Sequence, residues 1–386
     1  MSENFSTISS EKTHRNYAVG LIVLIIFPMA VSYALFLYKP SLFYFRAWEY
    51  FNEIVYPNPG KPSVWAGYEK GDMSRNYLFR YQDDKHTYVS SDRDGFRNVP
   101  FPSNNYEILT YGDSHCWGSG LSDHETFTWR LAKRLNQPIF NGGGGTLLDN
   151  LLNRPDLRKA KIILHVIDAF HVRVKELFPQ DMTVKEYQPR KNQAVPVAVR
   201  RFYLPSILIQ TIKRMRYDLL SGSNLGYYMT KGIYIVPFSE GHLNQNHVLK
   251  DPQYDDDFIS QVERIAMFNR HLTALGYTYV LVLVPRRDLI YGHPVDDFSK
   301  EYFPKMIRKL EREGVYAVDL QGTFLAHKRE EPYFRTDTHW NARGTEIAAG
   351  YVADYLNKKG IIKKLGLAAE EGAVRTRTAK SPHYVQ

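Results

Sequence analysis

The chain has 386 residues, enough for one or two ordinary domains, and its 44% hydrophobic and 24% charged content suits a protein that buries a core. That balance excludes a disordered, collagenous or multi-span membrane chain, and the single cysteine, Cys116, excludes an internal disulfide framework or a Cys-rich zinc site. Fifty Lys and Arg against 41 Asp and Glu leave a formal charge of +9, open to nucleic acid, an acidic membrane surface or an anionic polymer.

The first element in chain order is Tyr17 to Leu37, a run of 21 residues without a charge. As a helix it is long enough to cross a bilayer core of about 30 Å. Pro28 can kink it, which membrane helices tolerate. A cleaved signal peptide is the rival reading, but its apolar region is usually only about 7–15 residues, with a small-residue cleavage site after it. Ala30-Val31-Ser32 lies inside the run and suits cleavage poorly. The expected organisation is a cytoplasmic N-terminus at 1–16 and a transmembrane signal anchor at 17–37. The rest is then extracytoplasmic, periplasmic if the cell is Gram-negative, and no nucleic acid is expected as a partner.

Residues 38–100 read as an irregular, aromatic lead-in punctuated by Pro40, Pro57, Pro59 and Pro62. From Tyr106 strand and helix patterns alternate. Ile108 to Tyr111 is a short β-rich run ending at Gly112, and Glu125 to Leu135 has helical spacing. Pro138 to Phe140 leads into Asn141 and the glycines Gly142 to Gly145. Lys161 to Ile167 and Tyr277 to Val284 are buried-type strands, and Asp255 to Leu275 reads as the long helix between them. A helix at Lys300 to Glu313, a strand at Val315 to Leu320 and a helix from Ala342 to Asn357 complete the series. Strands separated by helices predict a mostly parallel sheet covered on both faces, here over residues 101–360. The stretch at about 172–250 breaks the rhythm and looks inserted. Its basic part, Val195 to Leu220, fits either a membrane- or polymer-binding element or a solvated helix. Residues 361–386 form a basic tail.

Ser114 follows Tyr111-Gly112-Asp113, just past a predicted strand, where an α/β sheet presents a side chain at its carboxyl edge. A serine hydroxyl needs an adjacent base to become a nucleophile. The later run Arg335-Thr336-Asp337-Thr338-His339-Trp340-Asn341 can supply it. Asp337 and His339 are two apart and can touch in an extended loop, and Asn341 is placed to cap the last helix. Cys116 reads as a small packing residue, and His115 and His124 share no metal-ligand spacing with other residues. No metal or cofactor is expected; P-loop and dinucleotide fingerprints are absent.

Together these two motifs resemble the SGNH/GDSL hydrolase superfamily. Asp337 to Asn341, with Val284-Pro285 and Ile290-Tyr291, is similar to the alginate O-acetyltransferase-type subgroup. The resemblance spans roughly residues 90 to 360. It implies an SGNH-like, flavodoxin-like three-layer α/β/α sandwich preceded by one transmembrane helix. It implies Ser114 as nucleophile, His339 as base and then acid, and Asp337 as the residue orienting His339. An oxyanion-binding glycine is implied at Gly143 or Gly145. The sequence departs from the pattern twice. In the best-known members of the subgroup the Asp-His pair precedes the serine, whereas here it follows. The superfamily's third-block Asn is missing, because His165-Val166-Ile167-Asp168-Ala169-Phe170-His171 stands in its place. An ionised Asp168 would repel an oxyanion, leaving His165 or His171 as substitutes.

The implied function is a serine esterase or O-acyltransferase, with acetyl as the implied acyl group, acting on an extracytoplasmic polysaccharide or cell-wall glycan through an acyl-enzyme. Its implied partners are a carbohydrate polymer or its acetylated form, the inner membrane, and a multi-span acyltransferase as donor. Two alternatives stay open. One is a non-catalytic polysaccharide-binding or assembly subunit on the same scaffold; the other is a membrane-proximal lipid esterase.

Overall fold

In a computed structural model the described residues are 4–38, 44–55, 62–71, 85–99, 101–144, 148–173, 178–179, 212, 215, 235–237, 243–245, 254–291, 297–335 and 337–364. The N-terminal segment is helical over Asn4–Leu21 and Phe27–Tyr38, joined by a π-helical turn at Ile22–Ile26. Within it Thr13–Leu35 is long and apolar enough to cross a membrane. A membrane anchor and a signal sequence share that property.

Beyond it, β1 (Ser63–Glu69) and β2 (Lys85–Ser91) pair antiparallel, with Trp65 opposite Val89 and Glu69 opposite Lys85. An irregular lead-in was the expectation for this region. Burial alternates along Ser63–Glu69 as in a strand, but the residue types do not: Gly67 and Glu69 face inward with Trp65, while Val64 and Tyr68 face out, so the sequence shows no strand pattern.

The body of the chain is a five-stranded parallel sheet made of β3 (Ile108–Gly112), β4 (Ile139–Gly143), β5 (Ile162–Asp168), β8 (Thr278–Val284) and β9 (Tyr316–Asp319). Two short strands, β6 (Ile235–Pro237) and β7 (Leu243–Gln245), pair separately. The spatial order β4-β3-β5-β8-β9 is the 2-1-3-4-5 order of flavodoxin-like folds. In that order the chain reverses direction between β3 and β5, and ligands of open α/β sheets gather outside the carboxyl ends there. Ser114 and Asp168 stand on the two sides of this crevice.

Alternation in the strands builds the two flanking layers. Tyr279, Leu281 and Leu283 of β8 face one core with Phe268 and Met306, from the helices Tyr254–Ala274 and Asp297–Arg312. Val280, Val282 and Val284 face the other with Leu131, Ala348 and Val352, from the helices Phe127–Leu135 and Ala342–Lys358. The expected α/β/α sandwich is therefore present. A third cluster joins Tyr44, Ala47, Phe51, Trp65 and Val89 to Trp117, so the lead-in packs directly on the turn that begins at Ser114. Trp48 meets Trp117 edge-on at 5.0 Å. The segment Val195 to Leu220, apart from single positions 212 and 215, and the tail beyond 364 lie outside the described residues.

Candidate active site

Gly112 ends β3 at φ 148°, and a Cβ there would lie 1.8 Å from the Val166 carbonyl oxygen. Only glycine lets β3 turn out this close to β5. Asp113 then caps the four-residue helix Ser114–Trp117, accepting from the His115 N–H at 2.8 Å. Its second oxygen accepts from the Asp168 N–H at 2.8 Å and faces His171 Nδ1 at 2.6 Å. One carboxylate thus ties the nucleophile turn to the end of β5. Burial opposes the charge on Asp113, but His115 and His171 outweigh it and hold the carboxyl well below its usual range.

The other half comes from the loop before the helix Ala342–Lys358. Asn341 accepts from the Gly344 N–H at 3.0 Å and donates to the Tyr333 carbonyl at 3.1 Å, so the cap also closes the loop on itself. Inside this loop Asp337 is fully buried and His339 nearly so. His339 Nδ1 lies 2.6 Å from Asp337 Oδ1, and the His339 N–H donates to the same oxygen at 3.1 Å. A carboxylate on Nδ1 fixes the tautomer that leaves Nε2 as acceptor. Nε2 is 2.7 Å from Ser114 Oγ. Residues 225 positions apart are thereby joined in one hydrogen-bonded relay.

Two residues that sequence reasoning passed over complete the environment of Asp337. Arg46 Nη2 is 3.2 Å from Asp337 Oδ2, and Lys85 Nζ is 3.6 Å from the same oxygen. Burial alone would raise the Asp337 carboxyl; Arg46, His339 and Lys85 overcome it and hold it well below the usual range. No local spacing announces either cation, since both come from the lead-in.

The remaining expected residues are placed as follows. Gly143 packs against the nucleophile turn, where a Cβ would lie 2.3 Å from the Trp117 nitrogen. Its own N–H donates to Asn141 Oδ1 at 3.1 Å, and the Gly144 N–H donates to the Gly112 carbonyl. The glycine at 143 therefore serves close approach, with its N–H already engaged; Gly145 lies outside the described residues. Asp168 directs its carboxylate toward His115 Nε2 at 3.9 Å. His165 is buried in an aromatic cage with Nδ1 on the Tyr279 hydroxyl at 2.9 Å, and His171 is engaged by Asp113. Each of the two is thus engaged through Nδ1. The His115 ring lies 4.7 Å from that of His339, and both of its ring nitrogens are buried without a hydrogen-bond partner among the described residues. Burial opposes protonation of His115, but Asp113, Asp168 and Asp337 together raise it above its ordinary value. Burial pushes the Cys116 thiol up, so it stays protonated and packs as a small apolar group. No group of three or more metal-ligating side chains occurs among the described residues.

Residues 243–385 match the family model described as an SGNH hydrolase-like domain, acetyltransferase AlgX. No curated protein matches the chain. Solved structures that resemble it include a protein described as lipolytic, of the G-D-S-L family, from Desulfitobacterium hafniense DCB-2. It is 11% identical, with 65% of this chain and 100% of that one covered at a TM-score of 0.35. The protein YXIM of Bacillus subtilis is 13% identical over 79% of this chain and 76% of its own, at 0.33. An acetyl xylan esterase from the rumen bacterium Butyrivibrio proteoclasticus is 11% identical over 75% and 72%, at 0.30. What the chain shares with the SGNH hydrolase-like domain of the AlgX type is thus a likeness over residues 243–385, less than half of its length.

Proposed function

We propose that the protein is a serine esterase or O-acetyltransferase acting on an extracytoplasmic polysaccharide or cell-wall glycan. The observation that carries this reading is the relay from Ser114 Oγ through His339 to Asp337, at 2.7 and 2.6 Å. Ser114 Oγ attacks the carbonyl carbon of an acetyl ester while its proton passes to His339 Nε2. The tetrahedral intermediate collapses as the imidazolium returns that proton to the leaving alkoxide, and acetate remains esterified to Ser114. Water or a sugar hydroxyl then attacks the acyl-enzyme, its proton taken by the same nitrogen. Water releases acetate, and a sugar hydroxyl leaves an acetylated glycan.

The apolar helix at Thr13–Leu35 serves in this reading as an anchor with the sheet domain on the far side of the membrane. That location favours a glycan over nucleic acid as the partner of a chain with a +9 charge. As a transferase it takes its acetyl group from a multi-span membrane acyltransferase, because acyl donors are made in the cytoplasm.

The test uses the full chain in detergent. Wild-type protein should release acetate from acetylated glycan and label with a fluorophosphonate. Ser114→Ala should abolish labelling and lower turnover by at least ~10³-fold, as removal of a serine nucleophile does elsewhere. Turnover unchanged in that variant rejects the mechanism.

A second reading, a non-catalytic glycan-binding or assembly subunit, draws on the oxyanion side of the site. The third-block Asn is replaced by Asp168, and the N–H groups of Gly143 and Gly144 are engaged. An idle serine would not react with the fluorophosphonate, which separates the two readings.

A further inference from the structure

All three relay residues belong to the sheet domain, yet the groups that neutralise Asp337 do not. Arg46 stands at the start of the short helix Ala47–Tyr50, a few residues after the apolar N-terminal helix ends. Its guanidinium reaches both loops of the site. Nη2 donates to Ser119 Oγ at 2.6 Å, in the turn that follows Ser114, and lies 3.2 Å from Asp337 Oδ2 and 3.5 Å from His339 Nδ1. The side chain is only 6% exposed.

Arg46 is itself held. Glu69, fully buried at the end of β1, places Oε2 3.9 Å from Arg46 Nε. Thr87 of β2 donates to Glu69 Oε1 at 2.6 Å, and Trp65 Nε1 donates to Thr87 Oγ1 at 3.2 Å. The Lys70 N–H donates to the Phe45 carbonyl at 3.0 Å, which ties the residue before Arg46 to the strand carrying Glu69. Lys85, opposite Glu69 in the same pair, supplies the second cation on Asp337 and lies over the Phe334 ring. The β1–β2 pair is thus built around a charge cluster that ends on the relay.

We propose that Arg46 is a positioning residue for the Ser114–His339–Asp337 relay. Its guanidinium bridges the nucleophile turn to the loop of the base and fixes the Asp337 rotamer that offers Oδ1 to His339. This rests on the esterase or acetyltransferase reading, and it makes the segment beside the membrane part of the site. The charged groups that face His339 are Arg46, 3.5 Å from Nδ1, Asp337 on the same nitrogen with Lys85 behind it, and the His115 ring at 4.7 Å. Glu69 faces Arg46, and Asp113 and Asp168 face His115.

The experiment measures kcat/KM against pH for hydrolysis of p-nitrophenyl acetate by the full chain, comparing wild type, Arg46→Met and Arg46→Lys. The acid limb of that profile reports protonation of the base in the free enzyme. Arg46→Met should lower kcat/KM by about 10–100-fold, the range for losing an outer partner of an oriented histidine. It should also move the acid limb to higher pH, because a cation beside the base is gone. Arg46→Lys should keep the limb in place, since the charge remains. Its rate should still fall, because the shorter lysine stem leaves its ammonium short of the position from which Nη2 meets both Ser119 and Asp337.

A purely structural arginine would lower the melting temperature and leave the limb where it is. An unmoved limb in folded Arg46→Met therefore overturns the proposal. If that variant does not fold, a wild-type rate in Arg46→Lys overturns it instead. Wild-type protein that neither turns over nor labels with a fluorophosphonate removes the esterase reading itself. This inference falls with it, by a result distinct from either of the others.

Discussion

Two buried aspartates, Asp113 and Asp337, stand on either side of the Ser114–His339 contact and solve the same problem differently. Each is an ionised carboxylate in a place where burial favours the neutral acid. Asp113 is held by neighbours from the sheet edge: the His115 and Asp168 N–H groups and the His171 ring. Asp337 is held by His339 within its own loop and by Arg46 and Lys85 from outside the sheet domain. The turn at Ser114 is thus supported by the sheet itself, whereas the His339 loop depends on a segment folded onto it. Serving as a cap fixes backbone, and serving as the partner of an imidazole fixes charge. The second task calls for the stronger counter-ions.

Breaking each carboxylate in turn puts the comparison to its hardest test. Asp337→Asn should lower kcat by about 10³–10⁴-fold, the size of effect expected when the imidazole loses its orienting charge and tautomer. The same change leaves Arg46 and Lys85 without the carboxylate between them, which should cost roughly 3–5 kcal/mol of stability. Asp113→Asn should cost less on both counts, roughly 1–3 kcal/mol, because an amide oxygen still accepts from one of the two backbone N–H groups. Its partner His171 is also partly exposed, so that ion pair is screened. Urea unfolding and single-turnover kinetics on the two variants measure the difference. Equal losses in both would show that the cations of the lead-in add nothing to the role of Asp337.

Much of this arrangement is legible in the sequence, and the rest is not for a definable reason. Thr278–Val284 and Ile162–Asp168 announce themselves as buried strands by largely apolar runs, the second interrupted at His165, and Asn341 by its place before a helical pattern. Ser114, Asp337 and His339 are legible because short motifs carry them and the sheet order brings their loops to one edge. Arg46 leaves no such trace: it meets His339 across 293 positions, and no periodicity or spacing links them. The β1–β2 pair left none either: its alternation is one of burial, with Trp65, Gly67 and Glu69 inside and the apolar Val64 and Tyr68 exposed. Gly143 is a different case. The glycine was legible, but its reason is contact with the Trp117 backbone, while its N–H is engaged by Asn141.

A third buried group sharpens the contrast, because burial outweighs the Asp113 charge that favours its protonation. His165 sits among Tyr111, Phe178, Phe268 and Tyr279, and burial lowers its pKa to about 3. Its folded value is below its unfolded value of about 6.5, so the native state binds fewer protons than the unfolded chain. The stability it contributes is present above about pH 6.5 and is lost as the pH falls toward 3, by at most about 1.4 kcal/mol per pH unit. Asp113 and Asp337, with folded values held below the unfolded Asp value of about 3.9, lose their contributions only as the pH falls below that. Between pH 6 and 4 the histidine therefore acts before the carboxylates. His165→Gln, which keeps a partner for the Tyr279 hydroxyl, should flatten the stability profile in that window by roughly 1–3 kcal/mol. Denaturant unfolding at several pH values measures it, and parallel profiles for variant and wild type would show His165 protonated without penalty.

The smallest expected effect separates the loop's backbone from its charges. Asn341 caps the helix Ala342–Lys358 through the Gly344 N–H and holds the Tyr333 carbonyl, so it shapes the same loop that Arg46 and Lys85 grip by its carboxylate. Asn341→Ala should cost about 1 kcal/mol of stability, as loss of a helix cap does. If the cations position Asp337, thermal melting should shift by a few degrees while the acid limb of kcat/KM stays in place, because every charge around His339 survives. If instead the cap positions the loop, activity should fall nearly as far as in Asp337→Asn. In that case Arg46 and Lys85 would merely neutralise a carboxylate that the backbone had already placed.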